Sequence, residues 1–445
     1  MRGYALLGLV FIVFPFIFVR PYFGIYLWTL FGYLNPHRLT WGLAYDFPFS
    51  ELIAVGTLIG MFFTRDRTAP PRSSLVLVWL AFIGWMCITT LFALHPDQAA
   101  PEWDRAMKIQ LFSFLTIILI NSKEKLRTLV WVIALSICFY GIKGGLFSLL
   151  TGGGNRVWGP PESFIFDNNA LGLAILMTMP LLFYLAKTVK SRYLRYALTG
   201  GLLLSVVATL MTNSRGAFIG LVAVTLLWLI NEKKKWPMIV ALVVVAPALY
   251  MFMPSSWFDR MQTIETYDQD DSAMGRITAW RFAGKLATKR ALGGGYGAFT
   301  EETYRQYAPD IASEVDERNG RFQNAHSIYF SVLGEQGVPG LVLFLALGAL
   351  TLGKSRQVER AARRQGDDDL ALLAMATRTG LVAYAVSGAF LNLAYFDLYY
   401  HLVAIVVILD RVVVLRTAER TSTAVQPPVP VTHRPTIIAE RGRSR

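Results

Sequence analysis

MPSSWFDR (253–260), GRITAW (275–280), LGGGYGAF (292–299) and QNAHSIYF (323–330) punctuate one polar stretch, residues 254–325, in a chain otherwise built of apolar runs. Working outward from it, apolar segments of bilayer-spanning length lie on both sides, and a connector this long inside such a chain is expected to carry function. Over its 445 residues the chain is 54% hydrophobic and only 16% charged, below the roughly 25% typical of soluble domains. A soluble protein with buried helices is therefore excluded, and the expected fold is an all-α polytopic membrane protein. Tyr4–Val19 has the apolar character of a signal peptide, but Arg20-Pro21 follows it instead of a small-residue cleavage site, so it is expected to stay as a helix. Cys87 and Cys138 both lie inside apolar runs. They are read as packing residues, which leaves no disulfide framework or zinc site.

The net charge of +13 is clustered. Arg65/Arg67/Arg72, Lys123/Lys125/Arg127, Lys187/Lys190/Arg192/Arg195, Lys233/Lys234/Lys235 and Lys354/Arg356/Arg360/Arg363/Arg364 flank apolar spans in regular order. That order fits the positive-inside rule better than nucleic-acid binding, and it puts these clusters in the cytoplasm. Between clusters the runs fall in pairs: 74–94 with 105–121, 127–150 with 169–187, 195–212 with 215–230, 237–253 with 326–352, and 372–393 with 396–416. Upstream, runs 4–19, 22–34 and 49–63 compete for an even number of crossings between Arg2 and Arg65. Run 22–34 is short against the ~30 Å bilayer core and is bracketed by Arg20-Pro21 and Asn35-Pro36, so it is read as interfacial or re-entrant.

The expectation is about twelve helices with both termini cytoplasmic. Residues 1–253 would hold helices one to nine, 254–325 the large external loop, 326–416 the last three helices, and 417–445 a disordered cytoplasmic tail. Segments 20–48, 95–104 and 151–168 would also be external. No internal repeat of the kind that builds many transporters is visible.

Charges at the outer helix ends are costly unless used. Arg215 in MTNSRGAF (211–218) stands on the first turn of a helix, where a cation opposes the helix dipole unless an anion is near. Lys143 lies inside FYGIKGGLF (139–147), Arg105 and Lys108 lie in PEWDRAMKIQL (101–111), and Arg276 and Arg281 straddle Trp280. Snorkelling is the plain alternative for Arg105, Lys108 and Lys143. Together these cations suggest a pocket for a polyanion at the outer leaflet, such as a lipid-linked diphosphate, though an anionic phospholipid would draw the same residues. His326 stands at the outer boundary, where its neutral ring can take a proton near pH 7. The other histidines, His37, His95, His401 and His433, read as structural or inert. Glu335 falls on roughly the opposite helix face from His326 and is no evident partner. Asp268, Asp270 and Asp271 in TYDQDDS (266–272) could hold a hard cation, but no further ligand recurs at suitable spacing. They are read as a solvated loop, as are Glu314, Asp316 and Glu317, so no metal and no cofactor is expected.

Taken in order, FIFDNNALG (164–172), TNSRGAF, GRITAW, the GGGYGAF glycine run and NAHSIYFSVLGEQGVPG (324–340) resemble the O-antigen ligase superfamily over about residues 70 to 395. NPHRLTWGLAYDFPFSE (35–51) and GGGNRVWGPPESF (152–164) resemble its exosortase-associated branch. The resemblance implies a GT-C-like, metal-independent inverting glycosyltransferase of the bacterial inner membrane, acting on the periplasmic side. It implies an undecaprenyl-diphosphate-linked glycan as donor and a lipid A-core sugar as acceptor. Arg215 and the loop arginines would hold the diphosphate, and His326 would deprotonate the acceptor hydroxyl. Asn169, Asn324, Tyr329 and Trp280 would bind sugar or orient the base. An O-antigen polymerase or a protein O-oligosaccharyltransferase would differ in acceptor alone. From other classes, a lipid or glycan transporter is disfavoured by the one-sided loop, and a scaffold leaves the cations unexplained.

Overall fold

The computed structural model describes residues 2–231, 271–318 and 320–425, with a few single positions between 236 and 258. Its regular elements are helices, with no strand among the described residues. They are α1 (Arg2–Val19), α2 (Tyr22–Leu34), α3 (Phe49–Phe63), α4 (Ser74–Leu91), α5 (Pro96–Leu119), α6 (Lys123–Leu150), α7 (Asn168–Thr188), α8 (Arg192–Met211) and α9 (Arg215–Asn231). After the break come α10 (Asp271–Lys289), α11 (Glu301–Tyr307), α12 (Pro309–Arg318), α13 (Ile328–Arg364), α14 (Asp368–Ser387) and α15 (Asp397–Val425). Among the described residues, 8 helices are long and apolar enough to cross a membrane, with α3 and α9 as shorter apolar ones. The chain is a polytopic membrane protein. Run 237–253, one of the expected spans, lies outside the described residues.

Two ends of the bundle can be told apart by their contacts. At one, Lys125 pairs with Asp66 at 2.7 Å, Lys123 with Asp367 at 3.0 Å, and Lys354 with Asp410 at 3.5 Å. Arg416 joins Asp367 there as well. At the other, the Leu94 amide donates to the Gly294 carbonyl at 2.8 Å and the Val157 amide to that of Met211 at 3.1 Å. The first is the basic end; the second carries His326. α7 and α15 run through the middle, with 89% and 78% of their apolar windows buried, as befits helices that are apolar all round. Where α6 crosses α8, a Cβ on Gly145 would fall 2.3 Å from the Leu204 carbonyl oxygen, so glycine sets that close approach.

α1, α2 and α3 form a unit with its own core of Val10, Ile17, Phe31, Ala44, Phe49 and Ile53. Gly3 packs on Ala44 and Trp41, while Gly60 packs on Ile17 and Phe18, so α1 and α3 run parallel from the His326 end to the basic end. Between them α2 runs the other way: Tyr26 donates to the Lys125 carbonyl at 2.9 Å near the basic end, and Phe31 meets Phe49 at 4.8 Å. Run 22–34 is thus a helix returning between the two ends, and the even number of crossings expected before Arg65 becomes three passes. Residue 3 therefore lies at the His326 end and residue 416 at the basic end. The two ends of the described chain thus lie at opposite ends of the bundle.

Three further boundaries depart from expectation. α5 starts at Pro96, so 95–104 is the first part of a helix and not a loop. α13 runs on through the basic cluster to Arg364, and α15 stays helical to Val425, inside the stretch expected to be a disordered tail. Charged turns with good helix formers continue a helix beyond its apolar window. The 254–325 stretch also differs from a loop where it is described. α10, α11 and α12 enclose a separate core of Ala279, Phe282, Ala283, Leu286, Tyr304 and Ile311, against which Leu94 and Leu333 of the membrane bundle pack.

Candidate functional site

Three helix N-termini meet at one corner of the His326 end. α7 is capped by Asp167, whose Oδ1 accepts the amides of Asn169 (2.9 Å) and Ala170 (3.4 Å). Asn168 Nδ2 then donates to the Thr212 carbonyl at 2.6 Å, which ties this terminus to the turn before α9. α9 is capped by Ser214, whose Oγ accepts the Ala217 amide at 3.2 Å, and it opens with Arg215. Gly216 rests against Ser387 and Phe390, and Gly388 against Ile328, so the 387–390 turn brings the start of α9 and the start of α13 together. Tyr329 Oη donates to the Ala385 carbonyl at 2.8 Å and fastens that junction. Convergent helix N-termini favour an anion.

His326 precedes α13 with φ 44°, a left-handed conformation that costs a non-glycine residue roughly 1–2 kcal/mol. Its surroundings hold it there. Trp280 Nε1 donates to the Ala325 carbonyl at 2.7 Å, and the same indole stacks on Phe330 with centroids 5.0 Å apart. Tyr304 Oη donates to the Gln323 carbonyl at 2.9 Å. The imidazole remains open at the mouth of the corner. Protein crowding it from below lowers its pKa from the ordinary histidine value, the positive charge of Arg276 lowers it further, and Asp167 opposes both. One ring therefore feels both a cation and a carboxylate. Ser327 at the α13 N-cap makes no capping bond, and its buried Oγ has no partner. The same is true of Ser387 Oγ and Asn213 Oδ1.

The other expected site residues separate into those at this corner and those elsewhere. Arg276 and Arg215 are at the corner. Arg281 instead pairs with Glu314 at 2.7 Å inside the α10–α12 unit. Arg105 and Lys108 pair along their own helix, with Glu102 at 3.6 Å and Asp104 at 2.8 Å, and Lys143 points outward from α6 while the neighbouring Gly144 and Gly145 pack inward. The Arg105 guanidinium also lies 5.3 Å above the ring of Phe164, three residues before Asp167. Asn169 Nδ2 donates to Asp167 Oδ1 at 2.9 Å, and Asn324 is exposed beside Ala325. Trp280 and Tyr329 spend their polar atoms on backbone carbonyls, so they position the segment. No group of three metal-ligating side chains occurs among the described residues; Asp268, Asp270 and the side chain of Asp271 lie outside them.

Residues 200–345 match the family model described as O-Antigen ligase. Over that segment the chain is similar to the O-antigen ligase family. Residues 1–190 match a second model, a family of unknown function (DUF5935). None of the curated proteins matches the chain.

The O-antigen ligase segment contains Arg215, Arg276, Trp280 and His326, whereas Asp167 belongs to the segment of unknown function. Two features escape sequence reasoning. Asp167 in FDNN reads as an ordinary N-cap, and nothing in its spelling shows that its charge acts on His326. Glu335, set aside above, is the centre of a buried network instead. Tyr395 Oη donates to its Oε2 at 2.8 Å, and the Gly297 amide donates to its carboxyl. Gln336 Nε2 donates to Tyr395 Oη at 3.1 Å. The Gly294 and Gly295 amides donate to the carbonyls of Gly334 and Glu335, each at 2.8 Å. The triple glycine followed 40 residues later by EQGVPG was the available signal, because a strained loop and a kinked helix fit one another.

Proposed function

We propose that the protein is an O-antigen ligase, transferring a polysaccharide from undecaprenyl diphosphate to a sugar hydroxyl of lipid A-core. The observation that carries this reading is His326, held left-handed where three helix N-termini meet and within the field of Arg276 and Asp167. Arg215 and Arg276 would grip the diphosphate, with the helix dipoles adding to the same field. Neutral His326 takes the proton of the acceptor hydroxyl, and that oxygen attacks the anomeric carbon from the face opposite the diphosphate. The anomeric C–O bond breaks with its electron pair passing to the phosphate oxygen, where the arginines stabilise the growing charge. Configuration inverts. Asp167 stabilises the imidazolium as it forms. In this reading the arginines take the charge role that a metal plays in other transferases, so the reaction is metal-independent.

The placement of charge supports an active site on the periplasmic side. Arg65, Lys123, Lys125, Lys354 and Arg364 all lie at the end away from His326, where the positive-inside rule puts the cytoplasm. A GT-C-like organisation and a bacterial inner-membrane location accompany this proposal. In reconstituted transfer from purified lipid-linked glycan, His326→Ala is expected to lower turnover by about 10²–10⁴-fold while donor binding persists. Retained turnover removes the base assignment. Excess EDTA is expected to leave the wild-type rate unchanged, and a loss restored by a divalent cation overturns the metal-free step. Offering lipid A-core, a second lipid-linked glycan and a protein as acceptors separates a ligase from a polymerase or a protein O-oligosaccharyltransferase.

A further inference from the structure

Two motifs take no part in the base or the diphosphate grip: NPHRLTWGLAYDFPFSE (35–51) and GGGNRVWGPPESF (152–164). Both lie at the His326 end, and side chains lock them together. Arg38 pairs with Glu162 at 2.7 Å and with Asp46 at 3.7 Å, and its guanidinium lies 4.6 Å above the Tyr45 ring. The second motif is itself fastened, since the Gly159 amide donates to the Phe166 carbonyl at 3.0 Å and the Val157 amide to that of Met211 at 3.1 Å. Between residues 41 and 48 an open hollow of about 850 Å³ results, lined by Trp41, Leu43, Tyr45, Asp46 and Phe47. Trp41 is 79% exposed, and the Asp46 side chain 86%.

The chemistry of this lining selects its occupant. Exposed aromatic faces stack against the C–H faces of pyranose rings, and carboxylates accept bonds from sugar hydroxyls. Asp46 and Glu162 share one guanidinium, leaving the rim acidic and a poor place for a diphosphate. An open hollow with a carboxylate in its wall is equally poor for an acyl chain. Its position suits the acceptor. Glu162 is five residues from Asp167, so their backbone positions lie at most about 18 Å apart, a span that a short oligosaccharide bridges. The cations Arg215 and Arg276 are at the corner where the donor's diphosphate would sit.

We propose that the hollow of residues 41–48, with Glu162 at its rim, binds the acceptor as an uncharged oligosaccharide while its terminal hydroxyl reaches His326. The proposal rests on the ligase reading for the word acceptor, but not for the glycan site itself. The test titrates a neutral core oligosaccharide, freed of its lipid, against the full chain in nanodiscs. Wild type is expected to bind it saturably. Trp41→Ala and Asp46→Asn are each expected to weaken binding about tenfold, and Trp41→Phe, which keeps a ring, to stay near wild type. In turnover, Trp41→Ala should raise KM for the acceptor and leave KM for the lipid-linked donor unchanged. Absent saturable binding, or binding indifferent to Trp41 and Asp46, overturns the site. So does quenching by brominated lipid that disappears in Trp41→Phe, which would put the hollow against the bilayer. Oligosaccharide binding at Trp41 without transfer to any acceptor would keep the site and remove the ligase reading.

Discussion

At the scale of single residues, His326 joins two properties that separately mean little. A left-handed backbone at a non-glycine position is stored strain that its surroundings must hold, and a crowded imidazole beside a cation is a base kept neutral. The sign of the pH dependence follows. Because the pKa of His326 lies below the ordinary histidine value, the acid limb of the rate profile should fall below that value too, with the rate lost as pH drops through it. Arg276→Ala removes a charge that lowers this pKa, so the limb moves to higher pH. Asp167→Asn removes one that raises it, so the limb moves lower and the rate on the plateau drops. A profile of kcat/KM against pH for the three proteins checks both directions; limbs that coincide would show that neither charge acts on the base. Arg105 and Lys108 illustrate the opposite case. Their partners Glu102 and Asp104 stand three and four residues upstream, a helical spacing already visible in the sequence.

At the scale of elements, the junction between the α10–α12 unit and α13 decides where His326 sits. The glycine loop takes φ 69° at Gly293, 77° at Gly295 and 72° at Gly297, and it docks where α13 kinks at Gly337. A Cβ on Gly295 would lie 2.4 Å from that of Ala93, whereas one on Gly152, also at positive φ, would meet nothing within 4 Å. Gly295→Ala therefore carries a clash on top of the backbone cost of about 1–2 kcal/mol, and Gly152→Ala carries the backbone cost alone. Thermal unfolding in nanodiscs should show a clearly larger loss for Gly295→Ala; equal losses would mean that the junction yields freely. Tyr395→Phe should cost about 1–3 kcal/mol, since it strips the buried Glu335 carboxyl of its hydroxyl donor. The apolar cores of these elements were legible from run length, as α3 at 49–63 and α6 over 127–150 illustrate. Their polar extensions were not, because a helix that leaves the bilayer keeps its hydrogen bonds while losing its hydropathy signal. Likewise the core of Phe282, Tyr304 and Ile311 is too dispersed in sequence to read as anything but loop.

For the whole molecule, the legible part was the alternation of spans with basic clusters, and the illegible part was its first step. At the N-terminus the only positive-inside signal is Arg2, and run 22–34 is just 13 residues long, while the contacts of Gly3 with Ala44 and of Gly60 with Ile17 and Phe18 depend on helix packing that hydropathy does not report. The outcome matters for function, because α2 and α3 carry the 35–48 segment to the same end as His326, so the segment of unknown function and the ligase segment present one common face. This makes a test at the largest scale. In a background of Cys87→Ala and Cys138→Ala, a cysteine placed at Gly42 and one placed at Lys354 should be labelled from opposite sides of intact cells or oriented vesicles. The Gly42 probe should react with a membrane-impermeant maleimide added from the periplasmic side, as should one at Asn324, and the Lys354 probe only after permeabilisation. Gly42 and Asn324 reacting from different sides would break the shared face on which both the proposed base and the proposed acceptor hollow depend.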